Sequence, residues 1–134
     1  MRVRACVRAC ARVRVYVCVC VCVCDAVLKK VGTSLARTNR PFIVGGGWNA
    51  TPDDLDNSGL PIRLQATVVC GASPTCSSKT ESGIVERCLD FFVVSDVLVP
   101  LVRSVQTLGV GTRPHQLVKL TMSSFARLPK VWVP

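Results

Sequence analysis

Two hydrophobic periods divide this chain. From residue 3 to residue 23 every odd position is Val or Ala, and every even position from 2 to 24 is Arg or Cys except Tyr16. That alternation has the period of a β-strand, with Val and Ala on one face and Arg and Cys on the other. At Asp25 the pattern changes. Asp25 can cap a helix through Ala26–Val31, and Leu28, Val31 and Leu35 share a face at helical spacing. Gly32 and Thr33 weaken that helix, and the run Thr38-Asn39-Arg40-Pro41 ends it. Phe42-Ile43-Val44 is a continuous apolar run, as expected of a strand buried on both faces.

Thr51 can cap a short second helix with Pro52 at its first position, Asp53 and Asp54 in its first turn and Gly59 past its end. Such a helix start accounts for the paired carboxylates without acid–base or metal chemistry. Residues 66–70 read as a strand, residues 71–83 as a polar loop, and residues 89–95 as another strand. Ser95 or Asp96 is expected to cap a helix reaching about Leu101, limited by Pro100. A loop holding Gly109, Gly111 and Pro114 leads to His115, and residues 117–122 form the last expected strand. Helices alternating with short apolar strands suit a layered α/β fold.

Charge changes this picture little. The net charge is +9, and Arg2, Arg4, Arg8, Arg12 and Arg14 supply five of those charges, leaving +4 on residues 25–134. The basic residues of that body are scattered, so its charge is weak evidence for a nucleic-acid partner. Of nine cysteines, only Cys70, Cys76 and Cys88 lie in the body. No C-x-x-C pair occurs, and a continuous strand holds its thiols in a row that cannot wrap a tetrahedral ion.

Residues 1–24 can be encoded as one DNA tract alternating G with a pyrimidine, with single base changes for Met1 and Tyr16. This is a low-complexity signature of nucleotide origin. The segment is read as an appended repeat, able to form a strand opportunistically and free of function. Its arginine-free apolar run, Val15 to Cys24, is too short to span a bilayer, and no small-x-small cleavage site follows it cleanly. The segment is therefore not read as a membrane span, and the compartment is left open, with an intracellular location favoured over secretion. The domain division is 1–24 for the repeat and 25–134 for the folded body.

Chemistry concentrates in four short runs. Phe42-Ile43-Val44-Gly45-Gly46-Gly47-Trp48-Asn49 is a strand running into glycines and an asparagine. Pro74-Thr75-Cys76 follows, then Arg87-Cys88-Leu89-Asp90-Phe91-Phe92-Val93-Val94-Ser95, then Arg113-Pro114-His115-Gln116-Leu117-Val118. Their order and spacing resemble the endonuclease/exonuclease/phosphatase superfamily. Its corresponding signatures are G-D-x-N, P-T-[WC], R-x-x-D-[FY]-[FIL]-x-x-S and S-D-H-x-P-V. The resemblance spans about residues 26–122 and matches the C-terminal part of the family domain. The earlier strands that carry the family's metal-binding glutamate have no counterpart.

The resemblance implies a partial four-layer αββα sandwich of the DNase I-like or exonuclease III-like type. It also implies hydrolysis of phosphate esters, including nucleic acids, with a divalent metal, usually Mg²⁺. In such a site the asparagine, here Asn49, contacts the phosphate. The last histidine, here His115, meets the phosphate in the transition state, oriented by an aspartate, here Asp90. Two carboxylates of the pattern are replaced: Gly47 stands at the aspartate of G-D-x-N, and Pro114 at the aspartate before the histidine. The expected product is an inactive fragment of a metal-dependent phosphodiesterase or nuclease. The alternatives are a hydrolase completed by a partner or a missing N-terminal half-domain, and a non-catalytic phosphate- or nucleic-acid-binding module. A half-sandwich is also expected to leave an apolar sheet face open and to aggregate readily.

Overall fold

The computed structural model describes residues 14–18, 25–38, 40–109 and 114–123. Its central sheet has four strands in the order β1-β2-β6-β3. Strand β1 (Arg14–Cys18) runs parallel to β2 (Phe42–Gly47), while β6 (Asp90–Ser95) lies antiparallel between β2 and β3 (Ala66–Val69). Five residues of the alternating N-terminal segment thus form a strand at the sheet edge. The remainder of residues 1–24 lies outside the described residues.

The period-two pattern sorts the side chains of this sheet between two cores. Phe42, Val44, Phe91, Val93 and Ala66 face one way and pack with Leu35, Leu55 and Leu60 from the helices. Helix α1 (Asp25–Thr38) supplies Leu35 and half-buried Val31, as the 3.6-residue spacing predicts. It continues past Gly32 because that glycine is where α1 meets its neighbour: a Cβ there would sit 2.9 Å from Leu60 Cδ1. Helix α2 (Pro52–Asn57) buries Leu55, and α3 (Leu60–Arg63) buries Leu60 and Pro61. Gly59 holds the turn between them with φ 68°, a left-handed geometry that favours glycine.

Ile43 and Val94 face the other way and pack with Leu98, flanked by partly buried Val69, Phe92, Leu120 and Met122. This second core is covered by the two-stranded ribbon of β7 (Val102–Leu108) and β8 (Leu117–Met122). The described residues thus form three layers: helices, central sheet and ribbon. The residues 117–122 expected as a strand are β8. The hydrophobic pattern leaves β7 unassigned, because a register shift between Val102 and Ser104 breaks its alternation.

Two expectations are corrected. Residues 71–83 are not wholly loop: Cys76–Thr80 is a strand, β4, paired with β5 (Gly83–Arg87) in an exposed hairpin. Cys-Ser-Ser-Lys-Thr buries only its first residue, so it carries no apolar alternation, and backbone pairing alone makes it a strand. The helix after Ser95 is a 3-10 helix (Asp96–Leu101) containing Pro100, and Ser95 does not cap it. Ser95 Oγ instead accepts the Phe42 N–H at 2.9 Å, tying the start of β2 to the end of β6.

Candidate functional site

The sequence-predicted residues collect at the end of the central sheet where β2 finishes and β6 begins. Gly47 and Asp90 are direct partners in the β2–β6 ladder. Partners across antiparallel strands project to the same face, so a side chain at position 47 would stand beside the Asp90 carboxylate. Gly47 therefore removes a group from the immediate surroundings of Asp90. By strand parity this face is the one covered by β7 and β8.

Beyond Gly47 the chain turns under firm control. The Trp48 N–H donates to the Leu89 carbonyl at 2.8 Å. The indole Nε1–H donates to the Phe91 carbonyl at 3.0 Å, and its ring stacks on Phe91 with centroids 5.6 Å apart. Trp48 is thus a packing residue. Asn49 follows, exposed, with φ 50°. Asparagine tolerates that left-handed conformation better than most side chains, which fits it to the tip of the turn.

Asp90 and His115 meet. His115 Nδ1 lies 2.8 Å from Asp90 Oδ2, with the two side chains 33% and 16% exposed. A carboxylate only accepts, so Nδ1 carries the hydrogen in this contact. That leaves Nε2 for a ligand. Nε2 accepts a hydrogen bond when the ring is neutral and donates one, to a phosphate oxygen for example, when the ring is protonated. His115 borders a cavity of about 550 Å³ walled by Ser77, Lys79 and Glu86 of the β4–β5 hairpin.

Thr75 builds this pair from both sides. It is completely buried. Its Oγ1 accepts the backbone N–H groups of Leu89 and Asp90, each at 2.9 Å, fixing the start of β6. Its carbonyl accepts the Gln116 N–H at 2.7 Å, and the Ser77 N–H donates to the Pro114 carbonyl at 3.2 Å. The histidine is therefore pinned by backbone bonds on both sides, with Cys76 and His115 forming an isolated bridge. Sequence reasoning noted Pro74-Thr75-Cys76 without giving Thr75 a role. A lone threonine before a strand carries no sequence signal of a double acceptor.

The other candidate groups are structural. Thr51 and Asp54 form a reciprocal cap at the start of α2. Asp54 Oδ2 accepts the Thr51 N–H at 2.9 Å, and Thr51 Oγ1 accepts the Asp54 N–H at 3.2 Å. The Thr51 hydroxyl and then its backbone N–H hold the Asp54 carboxyl below its ordinary value. Burial first, then the neighbouring Cys70 and Asp90, push the Cys88 thiol up, which disfavours the thiolate that metal binding needs. Among the described residues no three His, Cys, Asp or Glu side chains converge to hold a metal ion. The donor set of the described residues does not fit the Mg²⁺ that the sequence resemblance implies.

The chain is similar in structure to the endonuclease domain of TRAS1, a telomere-specific non-LTR retrotransposon. The TM-score is 0.62 at 15% sequence identity, over 79% of this chain and 52% of that one. No protein-family model matches the sequence, and no curated protein matches it. The likeness shows the fold alone: mixed α/β, mostly antiparallel, of the DNase I-like class. The chain spans about half the length of the TRAS1 domain chain.

Proposed function

We propose that this chain is part of a metal-dependent phosphodiesterase or nuclease-like domain that keeps the phosphate-facing histidine–aspartate pair and is inactive as it stands. The observation that carries the reading is the Asp90–His115 contact, 2.8 Å, at the sheet end where Gly47 replaces the expected carboxylate directly opposite Asp90. The pair can orient an imidazole toward a phosphate oxygen. It supplies one carboxylate, already engaged by His115, and not the set that holds a divalent metal, a contribution worth orders of magnitude in rate. The finer architecture belongs to this reading too: a four-layer sandwich of which the described residues supply three layers. Residues 1–24 are an appendage to it, with residues 25–134 as the domain.

One observation favours completion by a further polypeptide. The site lies on the same sheet face as the thinly covered second core, and the TRAS1 domain has about as much chain again as is matched here. A second half-domain seated there would cover that core and could bring carboxylates to Asp90.

The test is turnover of a phosphodiester, plasmid DNA and bis-p-nitrophenyl phosphate, with Mg²⁺ by the purified chain. No activity above background is expected. Turnover that disappears in His115→Ala would show that the pair works unaided and would overturn the inactive reading.

A further inference from the structure

At the opposite end of the central sheet from His115, a cavity of about 510 Å³ opens between the start of β2 and the end of β6. Asp90 and Ser95 are the two ends of β6, about 17 Å apart at the usual rise per strand residue. This cavity is therefore separate from the His115 site. Its volume lies in the range of small-molecule sites.

Its polar lining is rich in hydrogen-bond donors. Arg40, just before β2, and Arg63, in the last turn of α3, both border it. Among the described residues neither arginine makes an ion pair. Ser95 is 7% exposed, and its Oγ accepts the Phe42 N–H. The hydroxyl hydrogen of Ser95 has no acceptor among the described residues. Gln65, another wall residue, adds an amide donor. Its backbone is held at φ 51° by hydrogen bonds to Ile62 and Asp96. The opposing charge is Asp96, and one of its carboxylate oxygens is already engaged by the Thr67 hydroxyl at 2.7 Å.

The rest of the wall is apolar. Leu35 and Leu64 line it from the helical layer, and Val97, 69% exposed, flanks it from the 3-10 helix. Two guanidinium forks, a buried hydroxyl with a hydrogen to give, and an apolar flank together match one ligand chemistry. An oxyanion satisfies the donors, and an organic body attached to it covers the leucines and the valine. We propose that this cavity binds an organic phosphate monoester: the phosphate lies between Arg40 and Arg63 within reach of the Ser95 hydroxyl, and the apolar body lies against Leu35, Leu64 and Val97.

Isothermal titration of the full chain with phenyl phosphate tests this, with inorganic phosphate and phenol as separate arms. Phenyl phosphate is expected to bind more tightly than either arm. Arg40→Gln and Arg63→Gln are each expected to weaken it about tenfold or more, the scale of one charge-assisted hydrogen bond. Both arginines are exposed, so both variants are expected to keep the parent circular dichroism and melting temperature. His115→Ala is expected to leave binding unchanged. Three results would each overturn the proposal. Binding unaffected by both arginine substitutions is one. Binding lost in His115→Ala is the second, since it places the ligand at the other end of the sheet. Inorganic phosphate binding as tightly as phenyl phosphate is the third, since it removes the role of the apolar wall.

Discussion

The two faces of the central sheet are built from neighbouring residues of the same strands, yet they are finished to different degrees. Among the described residues, nine are buried and four more partly buried on the helix-covered face, whereas three are buried and seven partly buried on the ribbon-covered face. The strands do not explain this, because β2 and β6 give each face comparable Val, Ile and Phe. The covering layer does. Helices α1, α2 and α3 send Leu35, Leu55 and Leu60 into the sheet, while a two-stranded ribbon is too narrow to shield Phe92, Leu101 and Met122 completely. Asp90 and Gly47 share the less finished face. Stability in this chain therefore resides on one side of the sheet, and the candidate chemistry on the other.

The largest expected effect is on the finished side. Phe91 is 1% exposed and stacks on Trp48. Phe91→Ala is expected to cost about 3–5 kcal/mol, the usual range for emptying a buried phenylalanine site. In a domain of ordinary marginal stability that unfolds much of the population at room temperature. Urea unfolding followed by circular dichroism reads it. A loss near 1 kcal/mol would mean that the helix-covered core is as loose as its counterpart.

Gly45 probes the other side. It lies directly opposite Phe92 in the ladder, and a Cβ there would come within 2.5 Å of the Phe92 ring. The ring takes the space a side chain would fill. Gly45→Ala is expected to destabilise by about 1–3 kcal/mol if the ring is confined, as overpacking generally does. A neutral or stabilising result in the same urea experiment would show that Phe92 swings freely, and hence that the ribbon barely holds this face.

Leu120 of β8 tests the ribbon itself. It is only partly buried against the second core, so Leu120→Ala is expected to cost about 1 kcal/mol, well under the Phe91→Ala loss. Equal losses from the two substitutions would erase the contrast and make the ribbon a complete layer.

The same contrast governs what the sequence made legible. Strands buried on both faces announce themselves: Phe42-Ile43-Val44 and Phe91-Phe92-Val93-Val94 are continuous apolar runs, and both fall within strands of the central sheet. The helix face at Val31 and Leu35 is legible for the same reason. Elements outside the cores are not. Strand β4 is exposed and polar, β5 is exposed with Ile84 and Val85 adjacent rather than alternating, and β7 carries a register shift, so none of the three shows a clean period. The meeting of Asp90 and His115 was expected from family resemblance, because residues 25 apart in sequence have no local pattern linking them. The structure adds what holds them: Thr75, whose double acceptance depends on a tertiary contact that no spacing reveals.

The smallest expected effect concerns how the finished face is set. Helix α2 delivers Leu55 to the first core, and its start is closed by the Thr51–Asp54 cap. The Asp54 carboxyl is held below the ordinary aspartate value of 3.8, first by the Thr51 hydroxyl and then by the Thr51 backbone N–H. A depressed folded value means that the carboxylate contributes stability above 3.8 and loses it as pH falls through the lower folded value. Asp54 is fully exposed, so salt and solvent screen this contribution. Asp54→Asn is therefore expected to lower the melting temperature only slightly at neutral pH and to match the parent once both are acidified well below that range. An NMR titration of the Asp54 side-chain carbon should give a midpoint below 3.8 in the parent chain and a higher one in Thr51→Ala. A neutral-pH difference as large as that of Phe91→Ala, or one that persists in acid, would show that the cap, rather than the burial of Leu55, anchors the helical layer to the sheet.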